Sequence, residues 1–543
     1  MKLRNFANKL LLVVLLVVVC WGQTAVTGVS TVVSPLAEGT PLTKSYYFDQ
    51  SNQNVPSAQS LYTAMGIQDY NTYLTTVQAT KDLEEVVVAV VDSGLDDTHP
   101  VFQNRIITEH AFNFSEGLSE ANKDVRDNWN EDHNGHGTHV AGIIADMTLP
   151  NVKILPIKIF NDFGNEGSAY AFDNALRYLC ALKSGQECKL LNEQGLEGYT
   201  CNTERAQLNI IAVNLSLGTD GYDILSSQEM QDYENDKYGY TENGVTYTGY
   251  QYLIDRLLRN DIMPIVAAGN YGSGELESRA YYSLPGACDG VLAVAAYDNA
   301  QTTYQRADFS FHNNFVSISA PGENIWSACS QEIVDLINNT GTGNEIGKFK
   351  SIEDHGTYKT YDYIYKEEKF KKLHMYFEVG QDAEGNYCLR NRGTSMATPF
   401  VTASYAMLYS DSSKTTAEDY GLPTWQGEKD GVDEFFMNPA HKALLAAAAT
   451  YGDCGLEGYD GEFGYGTLSL LGFADTTVMQ LNPIKYEIKP SYTYNVEETA
   501  TKDEWYDVAI ILTLGVILVW GYNSFKSYLN RRKVNDNSDE SQQ

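Results

Sequence analysis

Three polar residues that lie far apart in the chain carry the side chains needed for covalent catalysis by a serine. Asp92 lies in "VVDSG", His136 in "HNGHGTH" and Ser395 in "GTSMATP". A serine hydroxyl becomes a nucleophile when an imidazole takes its proton and a carboxylate holds that imidazole in the right orientation and charge state. In the order Asp, His, Ser, the three residues therefore supply the groups for attack on a carbonyl carbon.

Ser395 also has an ordinary structural interpretation. Apolar residues at helical spacing follow it as far as Leu408, and Pro399 is expected near the first helical turn, where a missing N–H is tolerated. Ser395 is thus predicted at the start of a helix, where serine is a favoured N-cap residue. Capping and nucleophilic attack are both consistent with this stretch taken alone.

His136 and His139 lie three residues apart at the start of an apolar helical pattern, and two interpretations are open. A metal site would need further ligands and usually a glutamate beside the histidines, whereas Gly137 and Thr138 occupy the gap. In the other interpretation His136 is a general base and His139 is a structural residue. The sequence favours the second, and we expect no metal centre.

The elements that position these residues are predicted from apolar runs. The run that ends at Asp92 is continuous, which is typical of a strand buried on both faces. Similar runs occur at 152–160, 208–218, 261–270 and 290–298, and helical patterns occur at 168–183 and 249–260. This alternation predicts an α/β fold with a mainly parallel central sheet and helices on both faces. Ligands bind such sheets at the carboxyl ends of the strands, where Asp92 is expected.

Three polar stretches interrupt the alternation, at 184–206, 219–247 and 331–387. Their glycine, asparagine, tyrosine and charged residues indicate surface insertions. Cys329 and Cys388 flank the last of them, so a disulfide at its neck is a testable hypothesis.

Composition and charge narrow the function. The chain has 543 residues, of which 43% are hydrophobic, and is therefore long enough to bury a large core. Its 71 acidic and 38 basic residues produce a formal net charge of −33, which repels phosphate backbones. We therefore expect no nucleic-acid partner.

Apolar segments at the two ends of the chain predict its location. Residues 1–28 combine basic residues, an apolar run and a polar region, which is the layout of a signal peptide, although an uncleaved anchor would also fit. Residues 505–525 are uncharged from position 508 onwards, have aromatic residues near both ends and precede a basic tail. This pattern predicts a transmembrane helix, with a buried globular helix as the alternative. The expected topology is a single pass through the cell membrane, with residues 526–543 cytoplasmic.

The motifs together resemble the subtilisin family of serine peptidases, the subtilases of the S8 type. The resemblance is carried by "VVDSGLDDTHP", "HGTHVAGIIA" and "GTSMATPFVTA" and covers residues 59–475. It implies a three-layer subtilisin-like fold, protein or peptide substrates, hydrolysis through an acyl-enzyme and no cofactor. By this resemblance Asp92 orients and charge-balances His136, His136 is the general base and acid, and Ser395 attacks the scissile carbonyl.

The resemblance also assigns residues around the reacting carbonyl. Asn270 in "VAAGN" would donate a hydrogen bond to the oxyanion, together with the backbone N–H of Ser395. The stretch "NLSLG" is similar to the family's substrate-binding strand, in which Ser216, Leu217 and Gly218 would pair with the peptide backbone.

A pocket for the residue before the cut is implied in the same way. Its walls would be Ala267, Ala268 and Gly269, and such small apolar walls favour an apolar side chain.

The chain departs from the family in two places. The stretch "DMTLPNVKI" is too short for the calcium-binding loop that many subtilases carry, and residues 29–58 are too few for the usual propeptide.

The expected organisation follows from these segments. It comprises a signal peptide (1–28), a leader or linker (29–58), the peptidase domain (59–475), a connector (476–504), a transmembrane helix (505–525) and a cytoplasmic tail (526–543). The leading hypothesis is a membrane-anchored extracytoplasmic serine endopeptidase, with a processing role favoured over a degradative one. The rival hypothesis is a catalytically silent scaffold that uses the subtilase fold to bind peptides.

Overall fold

A computed structural model describes residues 62–473 of the chain. The stretches within this range that it leaves undescribed are 79–82, 117–127, 162–169, 192–196, 202–206, 224–225, 243–244, 272–279, 300–303, 339–346, 357, 366–373, 383, 412–438, 457 and 472. The predicted signal peptide, leader, connector, transmembrane helix and tail lie outside the described residues. Among the helices that are described, none has both the length and the apolar character needed to span a bilayer.

The described chain alternates between strands and helices. The strands are β1 (Val86–Asp92), β2 (Phe112–Asn113), β3 (Val152–Lys158), β4 (Cys188–Leu191), β5 (Glu197–Cys201), β6 (Ile210–Leu215), β7 (Gly239–Glu242), β8 (Val245–Thr248), β9 (Met263–Ala267), β10 (Leu292–Tyr297), β11 (Val316–Pro321), β12 (Ile325–Ala328), β13 (Gly347–Asp354), β14 (Tyr358–Tyr365), β15 (His374–Gln381) and β16 (Tyr387–Asn391). The helices are α1 (Ile67–Gln78), α2 (His136–Met147), α3 (Ala171–Ser184), α4 (Ser227–Tyr238), α5 (Tyr250–Arg259), α6 (Gln331–Asn338), α7 (Thr394–Ser410) and α8 (Pro439–Tyr451).

Seven strands form the central sheet, in the order β11-β10-β9-β6-β1-β3-β2. Every neighbouring pair in this sheet is parallel. The apolar runs correctly predicted β1, β3, β6, β9 and β10. They missed β2, which has two residues, and β11, in which serines interrupt the apolar pattern.

The side chains of β1 show why its sequence is apolar throughout. Val86, Val88 and Val90 enter a core on one face of the sheet, whereas Val87 and Val91 enter the core on the other face. Because successive side chains of a strand point to opposite faces, a strand covered on both faces needs apolar residues at every position.

Helices cover both faces of the central sheet. On one face α2 and α7 pack on the strands and on each other, with α8 against α7. On the other face lie α3 and α5. The result is a three-layer α/β arrangement, which confirms the predicted α/β fold with a mainly parallel sheet.

The first two insertions contain regular structure of their own. In the first, β4 and β5 form an antiparallel two-stranded sheet. In the second, α4 precedes another antiparallel pair, β7 and β8. The buried ammonium of Lys237 on α4 lies 3.4 Å from a carboxylate oxygen of Asp289 and 4.3 Å from the centre of the Phe315 ring, so it ties this insertion to the rest of the domain.

The third insertion contains more regular structure than its polar composition suggested. It contributes α6 and most of a five-stranded antiparallel sheet in the order β12-β16-β15-β14-β13. One face of this sheet has a small core of its own. That core includes Ile333, Val334, Ile337, Tyr363, Phe377 and Leu389. The prediction of a surface insertion therefore overlooked a second sheet, which leads through β16 directly into α7.

The hypothesis of a disulfide between Cys329 and Cys388 is wrong for this structure, in which both residues are thiols. In the pairing of β12 with β16, Cys388 lies opposite Ala328, and the next residue, Cys329, bonds through its N–H to the carbonyl of Tyr387. The two side chains therefore leave opposite faces of the sheet. Consistently, Cys388 packs in the main core and Cys329 in the core of the insertion.

Candidate active site

Asp92, His136, Asn270 and Ser395, which were predicted to do chemistry, all lie at the carboxyl edge of the central sheet. Asp92 is the last residue of β1, and Asn270 follows the end of β9 by three residues. His136 is the first residue of α2, and Ser395 is the second residue of α7. Parallel strands place all their carboxyl ends at one edge, which explains how positions so far apart in the chain reach one region.

Asp92 and His136 form a direct contact. The His136 Nδ1 atom lies 2.8 Å from Asp92 Oδ1, and the two side chains are 5% and 1% exposed. The same carboxylate oxygen accepts the backbone N–H of Ser93 at 2.7 Å. A carboxylate at Nδ1 favours the tautomer with the proton on Nδ1, so the Nε2 atom is left as the proton acceptor.

His139 has a separate partner. Its Nε2 atom lies 3.0 Å from the carbonyl oxygen of Ile325, and the residue is completely buried. Burial lowers the pKa of His139 to about 3, so the ring is neutral at physiological pH. The two histidines therefore point to different groups, Asp92 and Ile325, and His139 is a structural residue. Among the described residues, no group of three or more His, Cys, Asp or Glu side chains is arranged to hold a metal ion.

Ser395 is not an N-cap, so the capping interpretation is wrong. The N-cap of α7 is Gly393, with φ at 148°, and Ser395 lies two residues further on. Most of α7 is buried, but Ser395 is only partly so. Its hydroxyl donates a hydrogen bond to the carbonyl of Ser216 at 3.2 Å. The serine therefore lies at the surface end of a core helix, with its hydroxyl turned towards the strand end after β6.

Pro399 explains a second bond between the same two serines. It lies inside α7 rather than in the first turn, contrary to the prediction, and it has no N–H to donate to the carbonyl of Ser395 four residues earlier. That carbonyl instead accepts the Ser216 hydroxyl at 2.7 Å. The missing helical bond is thus replaced by one that ties α7 to the end of β6.

The Ser216 hydroxyl is itself held by buried side chains. It accepts a hydrogen bond from Asn214 Nδ2 at 2.9 Å, and Asn214 Oδ1 accepts the hydroxyl of Thr402 on α7 at 2.8 Å. All three of these side chains are completely buried. Leu217 and Gly218 continue the chain towards the surface, so the predicted substrate-binding strand is rigidly connected to the helix that carries Ser395.

Asn270 is oriented by the first residue of α7. Its Oδ1 atom accepts the backbone N–H of Thr394 at 2.9 Å and the Thr394 hydroxyl at 3.1 Å. Because a backbone N–H can only donate, this contact identifies which end of the amide is the oxygen. The Nδ2 donor therefore points away from Thr394, and Gly393 lies close by, since a Cβ at that position would be 3.7 Å from Nδ2.

The residues predicted to wall the pocket before the cut lie in a closely packed region. Ala267 and Ala268 are 3% and 2% exposed. A Cβ on Gly269, whose φ is 110°, would lie 2.3 Å from the Phe311 ring and 2.9 Å from Ser283. A Cβ on Gly218 would lie 2.3 Å from the Ser283 hydroxyl oxygen. Ser283 thus lies against both Gly269, a predicted wall, and Gly218, a residue predicted to pair with the substrate backbone.

Neither Ser283 nor Phe311 was predicted from the sequence. Both come from loops outside the recognised motifs, and only their packing against the glycines reveals their role. Both side chains pack against Gly269, one of the predicted pocket walls.

A charged pair lies just before the serine helix. Arg392 Nη1 is 3.5 Å from Glu323 Oε2, and the guanidinium also packs over the Phe309 ring at 5.2 Å. Burial raises the pKa of Glu323 to about 7, although Arg392 opposes that shift. The neighbouring Gly322 carbonyl accepts the N–H of Gly393 at 2.9 Å, so this pair lies beside the turn that precedes Ser395.

The carboxyl edge of the parallel sheet thus holds an Asp–His pair, a helix-borne serine and an asparagine amide. This combination places the protein among α/β proteins equipped for serine chemistry. Comparison with known families is more specific. The profile of the Subtilase family matches residues 84–466, and the chain belongs to that family.

Individual relatives are distant. The chain is 26% identical to fervidolysin of Fervidobacterium pennivorans over 60% of its own length and 34% of the relative's. It is 27% identical to the major intracellular serine protease of Bacillus subtilis, over 45% of its own length and 60% of the relative's. The crystal structure of fervidolysin, described as a keratinolytic enzyme related to subtilisin, aligns with a TM-score of 0.41 and 21% identity, covering 77% of this chain and 46% of that one. The chain thus spans about a third to three fifths of the two curated relatives.

Proposed function

We propose that the protein is a serine endopeptidase that cleaves peptide bonds with Asp92, His136 and Ser395. The observation that carries the proposal is the 2.8 Å contact between Asp92 and His136 at the sheet edge where Ser395 begins α7. Membership of the subtilase family supports it. His136 Nε2 takes the Ser395 proton as the hydroxyl attacks the scissile carbonyl, and Asp92 stabilises the imidazolium that forms.

The tetrahedral intermediate needs donors for its negative oxygen. Asn270 Nδ2 and the backbone N–H of Ser395 supply them, because the contact of Asn270 Oδ1 with Thr394 aims the amide nitrogen away from the helix. The imidazolium then protonates the leaving amine and an acyl-enzyme remains on Ser395. Water, activated by the same histidine, releases the acid and restores the hydroxyl.

The substrate backbone pairs with the extended segment Ser216, Leu217 and Gly218, in the manner of an added strand. The side chain before the cut enters the space walled by Ala267, Ala268 and Gly269. Since Ser283 and Phe311 both pack against Gly269, we expect glycine, alanine or serine there.

We further propose that the protein is anchored in the cell membrane by residues 505–525, with the peptidase domain outside and residues 526–543 in the cytoplasm. The uncharged apolar stretch, its aromatic flanks and its basic tail support this topology. An anchored peptidase with three insertions fits the processing of particular substrates better than general degradation.

One observation favours the second candidate, a silent peptide-binding scaffold. The Ser395 hydroxyl donates to the carbonyl of Ser216 rather than to His136. Hydrogen bonds between catalytic groups are often long or misaligned without substrate, and rotation about the Cα–Cβ bond of Ser395 redirects the hydroxyl. The enzyme remains the better supported candidate, because an activated serine explains the buried Asp92–His136 pair and a scaffold does not.

A fluorophosphonate probe separates the two candidates. We expect covalent labelling of the full chain, no labelling of Ser395→Ala and full labelling of Ser410→Ala, which removes a hydroxyl at the other end of the same helix. A wild-type chain that folds but takes up no probe would favour the scaffold.

A further inference from the structure

Asp132 is a buried carboxylate with no part in the mechanism above. It is completely buried and accepts four hydrogen bonds. Its Oδ1 atom accepts the Ser93 hydroxyl at 2.8 Å and the Gly135 N–H at 2.9 Å. Its Oδ2 atom accepts both the N–H and the hydroxyl of Thr138, at 2.8 and 2.6 Å. Burying a charged carboxylate is costly unless it is fully hydrogen-bonded, and the four donors meet that requirement.

Most of these donors belong to the start of α2. Its N-cap is Gly135, which has no side chain to satisfy the N–H groups of the first turn. Asp132 accepts the N–H of Thr138, and the Ser93 hydroxyl accepts the N–H of Gly137 at 3.0 Å. A negative charge at this end of the helix is also favoured by the helix dipole. Asp132 and Ser93 therefore cap the helix that begins with His136.

The same two residues reach Asp92. The N–H of Ser93 donates to Asp92 Oδ1 at 2.7 Å, and this is the oxygen that faces His136 Nδ1. Asp132 holds Ser93 through its hydroxyl, while Ser93 holds Asp92 through its N–H. The two partners of the Asp92–His136 contact are thus connected to one carboxylate, one through the turn after β1 and one through the first turn of α2.

A buried cation joins the same two segments. Lys158, 2% exposed, lies beside Asp92 in the register of β1 with β3. Its ammonium donates to the carbonyl of Ser93 at 2.7 Å and to that of Glu131 at 2.8 Å. These carbonyls flank Asp92 and Asp132 in the chain, so the positive charge lies between the two segments that carry the negative ones.

We propose that Asp132 is a positioning residue for the reaction, which fixes the His136 ring against Asp92 by clamping the turn after β1 to the start of α2. This role rests on the proposed peptidase function for its kinetic consequence but not for its structural one. In Asp132→Asn an amide NH₂ replaces one oxygen, so at least one of the N–H groups of Gly135 and Thr138 loses its acceptor. The first turn of α2 then shifts, and the imidazole moves relative to Asp92 and Ser395.

Two measurements on the full chain test the proposal. The first is hydrolysis of a peptide substrate: we expect kcat of Asp132→Asn to fall about 10²-fold, the cost of displacing a reacting group by about 1 Å, with KM within about twofold of wild type. The second is the downfield proton resonance of His136 Nδ1, in the hydrogen bond to Asp92, which we expect to shift or broaden. The matched control is Asp173→Asn, which makes the same change in the Asp173–Arg177 ion pair of α3 and leaves both readouts unchanged.

The outcomes are distinct. If Asp132→Asn melts at a lower temperature but keeps kcat and the resonance, Asp132 only stabilises the fold and the proposal is overturned. If the wild-type chain hydrolyses nothing, the peptidase function fails, and the resonance alone decides the role of Asp132. If Asp132→Asn does not fold, the Ser93 variants decide. Loss of kcat in Ser93→Ala with recovery in Ser93→Thr supports the clamp, and an unchanged kcat in Ser93→Ala overturns it.

Discussion

The Asn270 amide serves two partners at once. Its oxygen accepts the N–H of Thr394 and thereby caps α7, while its nitrogen is the proposed donor to the oxyanion. We predict that Asn270→Asp, which keeps the acceptor and removes the donor, lowers kcat about 10²–10³-fold, a range that rests on the equivalent change in subtilisin itself. Steady-state kinetics measure this loss. A retained melting temperature shows that the cap survives, and an unchanged kcat would remove Asn270 from the oxyanion site.

We propose that Ser283 limits the size of the specificity pocket, because its side chain lies against both Gly218 and Gly269. We predict that Ser283→Gly raises the kcat/KM ratio for substrates with phenylalanine over alanine before the cut by about 10-fold or more, since even one methylene group changes selectivity by about 10–200-fold. The control is Ser351→Gly at an exposed position of β13. A ratio that stays constant would place the pocket elsewhere.

Glu323 couples stability to pH near the serine helix. Its pKa is about 7 in the folded protein, against 4.5 for an ordinary glutamate, so the folded state binds the proton more tightly than the unfolded state does. The contribution of Glu323 to stability is therefore complete below about pH 4.5 and is lost as the pH rises through about 7.

Glu323→Gln removes this titration. We predict that its melting temperature, relative to wild type, increases between pH 5 and pH 8, as measured by thermal unfolding. A relative melting temperature that is constant or decreases over this range would contradict the raised pKa.

Among single residues, the sequence predicted those whose neighbours are diagnostic. Asp92 ends β1, His136 begins α2 and Asn270 follows β9 by three residues, each among recognisable flanking residues, and all three lie at the carboxyl edge of the sheet. Ser283 and Asp132 were missed because their roles depend on contacts between segments distant in the chain. No local pattern distinguishes Asp132 from the other acidic residues around it.

At the scale of elements, α2 is held at both ends by polar groups from other segments. At its carboxyl end the buried guanidinium of Arg105 donates to the carbonyl of Ala145 in the last turn and to those of Thr148 and Leu149 just beyond it. Burial lowers the Arg105 pKa to about 10, still far above neutrality, so the group remains charged. Polar contacts from other segments therefore hold both ends of the helix that begins with His136.

The third insertion also contacts the start of α2. Gly135 has φ at 77°, and a Cβ there would lie 2.3 Å from the Cδ1 atom of Ile333 on α6. We predict that Gly135→Ala destabilises the fold by about 2 kcal/mol or more, from backbone strain of about 1–2 kcal/mol together with the clash. Denaturant unfolding measures the loss.

Two variants separate these causes. Gly356→Ala, at φ 87° with no atom within 4 Å of its Cβ, has the strain without the clash and should lose less stability. In an Ile333→Ala background Gly135→Ala should also cost less, with a coupling of about 1 kcal/mol. Equal losses in all three comparisons would mean that α6 does not press on this turn.

At the scale of the whole molecule, the sequence predicted the layered sheet but not the second sheet. Apolar runs mark β1, β3, β6, β9 and β10 because both faces of the central sheet are buried. The third insertion alternates apolar and polar residues over strands that are half exposed, and its charged residues hide that alternation. Long-range pairing, such as Arg390 with both Trp326 and Glu378, cannot be derived from composition.

The proposed anchor is tested by a chain that ends at residue 504. We predict that the full chain stays in the membrane fraction after alkaline extraction, because about 20 apolar residues suffice to span a bilayer, and that the truncated chain is released. Immunoblotting of the two fractions measures the difference. A full chain that is extracted as readily as the truncated one would contradict the anchor.

The pairing of β12 with β16 has a practical consequence. Ala328 and Cys388 lie side by side in the pairing of β12 with β16. The chain therefore leaves the peptidase core and returns to it at adjacent positions. A short turn from Ala328 to Cys388 would therefore close the chain at little entropic cost. Excision would leave the serine helix attached to its own strand, while the histidine helix would lose the support of Ile333. A shortened chain would therefore keep the Gly135 turn but lack the side chain that packs against it.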